Sequence, residues 1–262
     1  MPDDEAENGG KPLAPKMERT GFHLGIRFHP EIRLLDRKRG REFAQKLAPI
    51  IDPEKMDLES PDAWRYVQRV GSSPNSFLAV TVTPESVQLD APAPTHGKEW
   101  YEDRYRGLLK EFRNFFSPSL MLGSTVIVRG VLPIHVDARE FLSSQVMRIH
   151  PDRNTSFGRP IHLVGLRLFF PPFKKTGSKK KSDTVKWSVD VKAESLMDDP
   201  SKLFLEAQAD WPTPTQWTEA AEQEEVNRLE TVSEFLEKNV INFLLENPDG
   251  QAADGPQEIQ GE

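Results

Sequence analysis

The chain has 262 residues, of which 37% are hydrophobic and 29% charged, with a formal net charge of −7 and no cysteine. That length allows one large domain or two small ones, and the lack of cysteine excludes disulfides, a thiolate zinc site and a thiol nucleophile. The start "MPDDEAENGG" is acidic and polar, unlike a targeting leader, and no apolar run reaches the roughly 18 residues that span a bilayer. We therefore expect a cytoplasmic protein that does not contact a membrane.

Charge is distributed unevenly along the chain. Residues 1–19 and 247–262 are acidic and rich in Gly, Pro, Ala or Gln, and we expect both to be disordered tails. Residues 27–41 carry six bases against two acids, and residues 174–186 carry six lysines against one acid. Residues 198–237 carry eleven acids against two bases. Such polarisation can orient a partner, although it does not identify one.

The first half, residues 20–118, begins with a clear strand signal. In "GFHLGIRFHP" apolar side chains alternate with polar ones up to Pro30, as in a half-buried strand. Asp36 is a candidate helix cap, and Gly40 weakens the helix that follows it. The elements predicted after the first strand are a helix over 37–51, strands over 64–70, 77–83 and 86–90, and a helix over 98–116. The last helix has an aromatic stripe at helical spacing, which favours packing against a sheet.

The second half, residues 119–246, repeats this pattern. The predicted elements are a strand over 124–132, a short helix over 137–147, strands over 160–170, 184–194 and 202–210, and a helix ending near 246. Two capping boxes, "DARE" (137–140) and "TPTQ" (213–216), predict where the two helices begin. We expect the last helix to be interrupted within 222–225. Its predicted inward face consists of Val226, Leu229, Val232, Leu236, Val240 and Phe243.

Both halves thus have the element order β-α-β-β-β-α, which predicts an α+β fold. We expect a largely antiparallel sheet with helices on one face, and the repeated order suggests an internal duplication. The other face would then stay partly open. Residues predicted to line this open face are His23, Arg27, His29 and the outward side chains of 186–192.

Three segments carry a resemblance to a known family. The strand "LGIRFHP", the hairpin "LAVTVTPESVQL" and the helix "EWYEDRYRGLLKEF" are similar to a sporadically distributed, uncharacterised bacterial family of similar length. The similarity covers residues 20–210 by element order, and it implies a fold without implying an activity. The duplicated order also resembles the saddle architecture of the TATA-binding fold, again at the level of fold alone.

The lysine-rich segment "KKTGSKKKS" is the strongest local charge signal in the chain. Its lysines are Lys174, Lys175, Lys179, Lys180 and Lys181. It is not a phosphate loop, because position 180 lacks the glycine that this motif requires and the segment joins two strands. It could contact phosphates by charge alone, or it could be the solvated tip of a hairpin, which is the interpretation we favour.

A second basic cluster lies at the start of the first helix. Arg37, Lys38 and Arg39, with Arg33 and Arg41 nearby, are unfavourable beside the positive end of a helix dipole. Such a cluster can mark a binding surface for a partner or for phosphates. The alternative we prefer is that it pairs with the acidic C-terminal helix.

Other chemical signatures are weak. The six histidines are spaced so that no metal site is indicated, and we expect no catalytic residue and no cofactor. The glutamates of 219–237 are predicted to form a solvated helix face. Trp211 and Trp217 could anchor a partner, but packing of the strand-to-helix crossover explains them more simply.

These observations predict a non-catalytic binding or accessory protein that acts through an open sheet face and a basic hairpin. The expected partner is another protein. One alternative is a nucleic-acid-associated protein that uses the 174–186 loop. A second is a small-ligand binder or enzyme with a cavity between the sheet and the long helix.

Overall fold

The computed structural model describes residues 16–30, 36–60, 62–134, 136–149, 161–174 and 184–245. These residues build a ten-stranded antiparallel sheet with helices packed on one face, which confirms the predicted α+β class. None of the described helices combines the length and the apolar character needed to cross a membrane.

Each predicted range contains a strand or a helix, but the strand predicted over 160–170 begins only at residue 165 and the strand predicted over 184–194 is divided in two. The first half contains β1 (Glu18–Phe28), α1 (Arg37–Leu47), β2 (Lys55–Asp57), β3 (Trp64–Arg69), β4 (Phe77–Val82), β5 (Ser86–Ala91) and α2 (Lys98–Phe116). The second half contains β6 (Leu120–Pro133), α3 (Ala138–Glu140), a π-helical turn (Phe141–Val146), β7 (Gly165–Phe170), β8 (Phe173–Lys174), β9 (Thr184–Val185), β10 (Ser188–Ser195), β11 (Lys202–Trp211), β12 (Thr215–Gln216), α4 (Glu219–Glu234), a second π-helical turn (Phe235–Val240) and α5 (Ile241–Leu245).

The strands lie in the order β2-β3-β4-β5-β1-β6-β11-β10-β7, while β12 pairs with one end of β6 and β8 pairs only with β9. β1 and β6 form the centre of the sheet. In each half the last long strand lies beside the first, so β3-β4-β5-β1 and β7-β10-β11-β6 run in corresponding order toward the centre of the sheet. An origin by internal duplication stays a prediction.

The core lies between the sheet and the helices. The apolar residues of β1 predicted to be buried are buried, and two of them meet α2. The rings of Phe22 and Tyr101 are 5.3 Å apart, and those of Phe28 and Phe112 are 5.1 Å apart. The aromatic stripe of α2 is therefore a packing surface, as its spacing predicted.

The predicted weak point of α1, Gly40, is explained by its neighbours. A Cβ at this position would lie 3.1 Å from the indole ring of Trp64, and the Tyr66 hydroxyl donates a hydrogen bond to the Gly40 carbonyl at 2.9 Å. Asp36 caps the helix as predicted and accepts a hydrogen bond from the Lys38 backbone N–H at 2.8 Å. Glycine lets α1 approach β3 closely enough to compensate for its low helix propensity.

The predicted start of the last helix is wrong. "TPTQ" does not open it, because Thr215 and Gln216 pair as β12 with the end of β6. The helix begins at Glu219, and the side chain of Thr218 accepts a hydrogen bond from the Ala221 N–H at 3.2 Å. Residues 213–216 have the composition of a capping box, but Thr215 and Gln216 pair with β6 instead of opening the helix. Thr218 caps the helix in their place.

Replacing Thr218 with alanine should lower the free energy of unfolding by about 1 kcal/mol, because one N–H of the first helical turn loses its acceptor. The matched control is Thr213→Ala, which removes the residue that the sequence predicted as the cap. We expect the control to change stability by less than about 0.5 kcal/mol, since Thr213 is exposed. Urea denaturation of both variants measures the difference, and an equal loss in the two would contradict the observed helix start.

The last helix is also irregular in a place that periodicity did not predict. Residues 222–225 are continuous α-helix, and the irregularity is the π-helical turn at Phe235–Val240. A π-helical turn holds more residues than an α-helical one, so the side chains after it face a different direction. Phe243, predicted inward, is 52% exposed, whereas Ile241 and Leu244 are buried.

The predicted N-terminal tail, residues 1–19, includes residues that belong to the folded sheet. Glu18 and Arg19 already belong to β1, and the side chain of Met17 is buried against Gly130 of β6. Residues 1–15 of the predicted N-terminal tail and all of the predicted C-terminal tail, 247–262, lie outside the described residues.

Candidate binding face

The sheet face opposite the helices presents alternate residues of every long strand, because successive side chains of a strand point to opposite faces. No helix among the described residues covers it, and we call it the helix-free face. Strand register places the following charged residues and one histidine on it: Glu18, Lys55, Asp57, Arg65, Arg69, Asp90, His23, Arg27, Arg129, Lys202, Glu206, Asp210, Asp190, Lys192, Glu194 and Arg167. The face is thus rich in charge of both signs.

Glu206 organises the charges of the second half. It lies on β11 between β6 and β10, and it accepts hydrogen bonds from Arg129 Nε at 2.6 Å and Lys192 Nζ at 2.7 Å. Only 6% of the residue is exposed. Burial alone would raise the pKa of Glu206, but the hydrogen bonds from Lys192 and Arg129 outweigh burial and hold the pKa below its ordinary value.

Two further contacts extend this network toward the strands on either side. Arg167 of β7 donates from Nε to both carboxylate oxygens of Asp190 at 2.9 Å, and this pairing lowers the pKa of Asp190. The Thr125 hydroxyl donates to Asp210 at 2.5 Å. These cross-strand bonds fix the orientation of side chains that would otherwise be mobile in solvent.

The centre of the face contains a histidine–carboxylate pair. His23 Nδ1 lies 2.6 Å from Asp90 Oδ1, with His23 on β1 and Asp90 directly opposite on β5. The imidazole extends over Gly25, where a Cβ would come within 3.2 Å of His23 Nε2. Glycine at this position therefore makes room for the ring against the strand.

The first half of the face is basic. Lys55, Arg65, Arg69 and Arg27 lie there with three acids, Asp57, Asp90 and, at the start of β1, Glu18. Arg27, Arg65 and Arg69 form no ion pair within the part of the chain that the structure describes. The guanidinium of Arg65 lies 5.8 Å from the centre of the Phe77 ring, so its stem rests on an aromatic surface.

The structure places the sheet-face residues predicted from sequence in two different settings. His23 and Arg27 lie on the helix-free face, as do Ser188, Asp190 and Lys192. His29 does not, because β1 ends at Phe28 and His29 belongs to the bend that follows. It lines a small cavity of about 110 Å³ beside the end of α2.

The predicted lysine hairpin is described only at its base. Its two arms pair as β8 and β9, with Lys174 opposite Thr184. Lys175, Lys179, Lys180 and Lys181 lie outside the described residues, and whether they contact phosphates stays a prediction. The arms connect β7 to β10 at one edge of the sheet.

The second basic cluster lies far from those arms. α1 packs against β3 and α2, and seven strand spacings of about 4.8 Å, about 34 Å in all, separate β3 from β7. Within α1 the guanidinium of Arg39 lies over the rings of Phe115 and Phe116, 5.6 and 5.4 Å from their centres. Arg37, Lys38 and Arg39 therefore do not join the hairpin arms in one surface.

The interpretation that this cluster pairs with the acidic C-terminal helix is wrong for the described residues. The acids of that helix instead meet α2 and β1, in the pairs Lys98–Glu230, Arg113–Glu222 and Arg19–Glu237. α1 lies over the first half of the sheet, whereas α4 packs on α2, β6 and β11. The separation follows from the strand order, which local sequence does not reveal.

Two glutamates predicted to be solvated are in fact buried. Glu222 accepts hydrogen bonds from Arg113 Nε at 2.6 Å and Trp217 Nε1 at 3.0 Å. Glu225 accepts one from Arg228 at 2.5 Å, and burial raises the pKa of Glu225 although Arg228 opposes the rise. The Glu222–Arg113 pair fastens α4 to α2, whereas the Glu225–Arg228 pair lies within α4, and Arg228 also donates to the Ser124 hydroxyl of β6 at 2.5 Å. These carboxylates therefore stabilise the fold and lie away from the helix-free face.

The two tryptophans pack the crossover, as the simpler interpretation predicted. Trp211 stacks on Trp187 with ring centres 5.3 Å apart, and Arg228 lies over its other side at 4.8 Å. Trp217 stacks on Phe112 at 5.4 Å. Both are buried, so neither is free to anchor a partner.

One cleft lies at an end of the sheet, whereas the sequence predicted a cavity between the sheet and the long helix. The cleft has a volume of about 790 Å³ and is bounded by the start of β1, the loop before α2 and α5. The ion pair Arg19–Glu237 is in its wall, with His96 on the opposite side. The described residues contain no cluster of three or more metal-binding side chains.

The fold and face together define a class: an α+β protein with an antiparallel sheet, helices on one side and a charged, helix-free face on the other. No protein-family model matches the chain, and no curated protein matches its sequence. The resemblance to an uncharacterised bacterial family stays a prediction. Function must accordingly be argued from the geometry of the face.

Proposed function

We propose that the chain is a non-catalytic binding protein, and that its partner is another protein that docks on the helix-free face. The observation that carries this proposal is the set of charged side chains, of both signs, that is distributed across the helix-free face. The proposal needs no reactive group and no cofactor.

The order within the face supports a binding role. Glu206, Arg129 and Lys192 hold one another, and so do Arg167 and Asp190. A partner that meets side chains already held in place loses less conformational entropy on binding than one that must order them. A rigid sheet beneath the side chains adds to this advantage.

The pattern of charge favours a protein over a nucleic acid. The first half of the face carries four bases against three acids, and the second half carries four bases against four acids. A polynucleotide laid across the sheet would bring phosphates against Asp190, Glu194, Glu206 and Asp210, which repel them. A protein surface can match both signs, with an acidic segment facing Arg27, Arg65 and Arg69.

The first experiment locates the partner. A photo-crosslinking residue placed at Gln88, on the helix-free face, should capture a protein in the source cell, and the same residue at the exposed Lys110 of α2 should not. The captured protein is then purified for binding measurements. Equal capture from both positions would contradict the proposal, because the partner would then bind the helix side as readily as the helix-free face.

The second experiment tests the charge. Arg65→Glu combined with Arg69→Glu should weaken binding of the purified partner at least tenfold, and the loss should shrink at high salt because exposed charges are screened. Lys110→Glu is the matched control and should have little effect. Isothermal titration calorimetry at two salt concentrations measures both, and circular dichroism checks that the variants fold.

Labelled DNA and RNA serve as the competing arm. Tight binding with a steep salt slope would favour the nucleic-acid alternative, if replacing Lys174, Lys175, Lys179, Lys180 and Lys181 with serine flattened that slope. We expect weak binding that this variant does not change.

A further inference from the structure

The two edges of the sheet are built differently. One edge is β2, which has only three residues and places Lys55 and Asp57 beside solvent. The other is β7, which has six residues and pairs only with β10 among the described strands. Short, charged edge strands resist further pairing, whereas a longer apolar edge offers unpaired backbone groups to another strand.

The exposed surface of β7 is apolar. Phe169 is 65% exposed and Phe170 is 43% exposed, and Phe173 directly beyond the strand is also exposed. The only charged residue of β7, Arg167, already pairs with Asp190 of its own sheet. The strand therefore lacks the charged residues that usually protect an edge, which indicates that another strand covers it.

We propose that a second copy of this chain pairs antiparallel with β7 and extends the sheet across two protomers. The sequence of β7 is self-complementary about Leu168. With Leu168 opposite its own copy, Leu166 faces Phe170 on one side of the sheet, and Arg167 faces Phe169 on the other.

Both sets of contacts in this register are favourable. Leu166, Leu168 and Phe170 are all apolar and lie on the helix side, where Phe170 already packs edge-on against Phe235. On the helix-free side, each Arg167 meets the Phe169 ring of the other copy, and a guanidinium over an aromatic face is attractive. A strand from an unrelated protein would have no reason to match this symmetric pattern, so the second copy is the favoured occupant.

The symmetry of the pairing has a consequence for function. The two-fold axis of an antiparallel strand pair is perpendicular to the sheet, so the helix-free faces of both copies point the same way. The dimer would present two binding faces side by side, and a partner with two sites would bind with increased avidity. The pairing itself does not depend on the proposed function.

The first test is the oligomeric state of the full chain. Sedimentation velocity over a wide concentration range should show a discrete monomer–dimer equilibrium. Phe169→Lys should raise the dissociation constant at least tenfold, because each new lysine would face an arginine. Phe169 is largely exposed, so the substitution should leave the fold intact. Met56→Lys on the opposite edge is the control and should leave the dimer unchanged.

The second test reads out the register. The chain has no cysteine, so a single introduced cysteine reports one contact. Leu168→Cys should form a disulfide-linked dimer under mild oxidation, because directly opposite Cα atoms lie roughly 4.5–5.5 Å apart, within disulfide reach. Phe170→Cys should not, since the two copies of this residue are four positions out of register.

Three results would overturn the proposal. A wild-type chain that is monomeric at every concentration would leave β7 to a strand from another protein. Association that Phe169→Lys does not weaken would place the interface elsewhere. Assembly into species larger than a dimer would show that β7 associates nonspecifically and does not form the closed two-fold pair.

Discussion

Replacing Phe112 with alanine should lower the free energy of unfolding by about 3–5 kcal/mol. Its ring is fully buried between α2 and the sheet, 5.1 Å from the ring of Phe28, 4.8 Å from that of Phe116 and 5.4 Å from that of Trp217. Removing it takes apolar surface from the core and leaves a cavity that these large, mutually packed rings cannot close. Urea denaturation measures the loss.

The matched control is Phe243→Ala. Sequence periodicity predicts that Phe243 faces the core, but the π-helical turn at Phe235–Val240 turns it toward solvent. We expect this substitution to change stability by no more than about 0.5 kcal/mol. A loss comparable to that of Phe112→Ala would show that Phe243 is buried, and hence that the last helix keeps regular α-helical spacing through residues 235–240.

The fold followed from sequence wherever the signal was local. Alternation in "GFHLGIRF" predicted β1 and its buried face, and the four-three spacing of aromatic residues predicted α2 to the residue. The π-helical turn could not be predicted in this way, because the inward face was assigned with 3.6 residues per turn throughout. The start of α4 failed for a different reason, since pairing of Thr215 with Met121 depends on a strand far away in the chain.

The sequence predicted which residues lie on the candidate face, but it did not predict their contacts. Alternation placed His23 and Arg27 on the open face without any knowledge of their neighbours. Their contacts depend on strand order, which brings His23 to Asp90 across 67 residues. Glu222 did carry a signal, because it lies four residues before Val226 on the buried stripe of α4. Its partner Arg113 is 109 residues away, and a glutamate on a helix is usually solvated.

Replacing Glu206 with glutamine should lower the free energy of unfolding by about 1.5–3 kcal/mol at pH 7. The carboxylate accepts from Arg129 and Lys192 at 2.6 and 2.7 Å, and hydrogen bonds between charged groups are the stronger kind. Glutamine keeps the shape but offers one acceptor oxygen, and its amide N–H groups would face a cation that is itself a donor. The helix-free face should lose order as well as stability.

This effect should depend on pH in a defined direction. The pKa of Glu206 is lower in the folded chain than its ordinary value of about 4.5. The ionised carboxylate therefore contributes its full stability above about pH 4.5, and this contribution is lost as the pH falls through the lower pKa of the folded chain. The difference between wild type and Glu206→Gln should thus be full at pH 7 and shrink below about pH 4.5. Glu234→Gln is the control, because its ion pair with Lys238 is exposed to solvent and should contribute little to stability. Equal losses in the two variants at pH 7, or a Glu206 difference that persists in acid, would show that the central ion pairs do not hold the face in place.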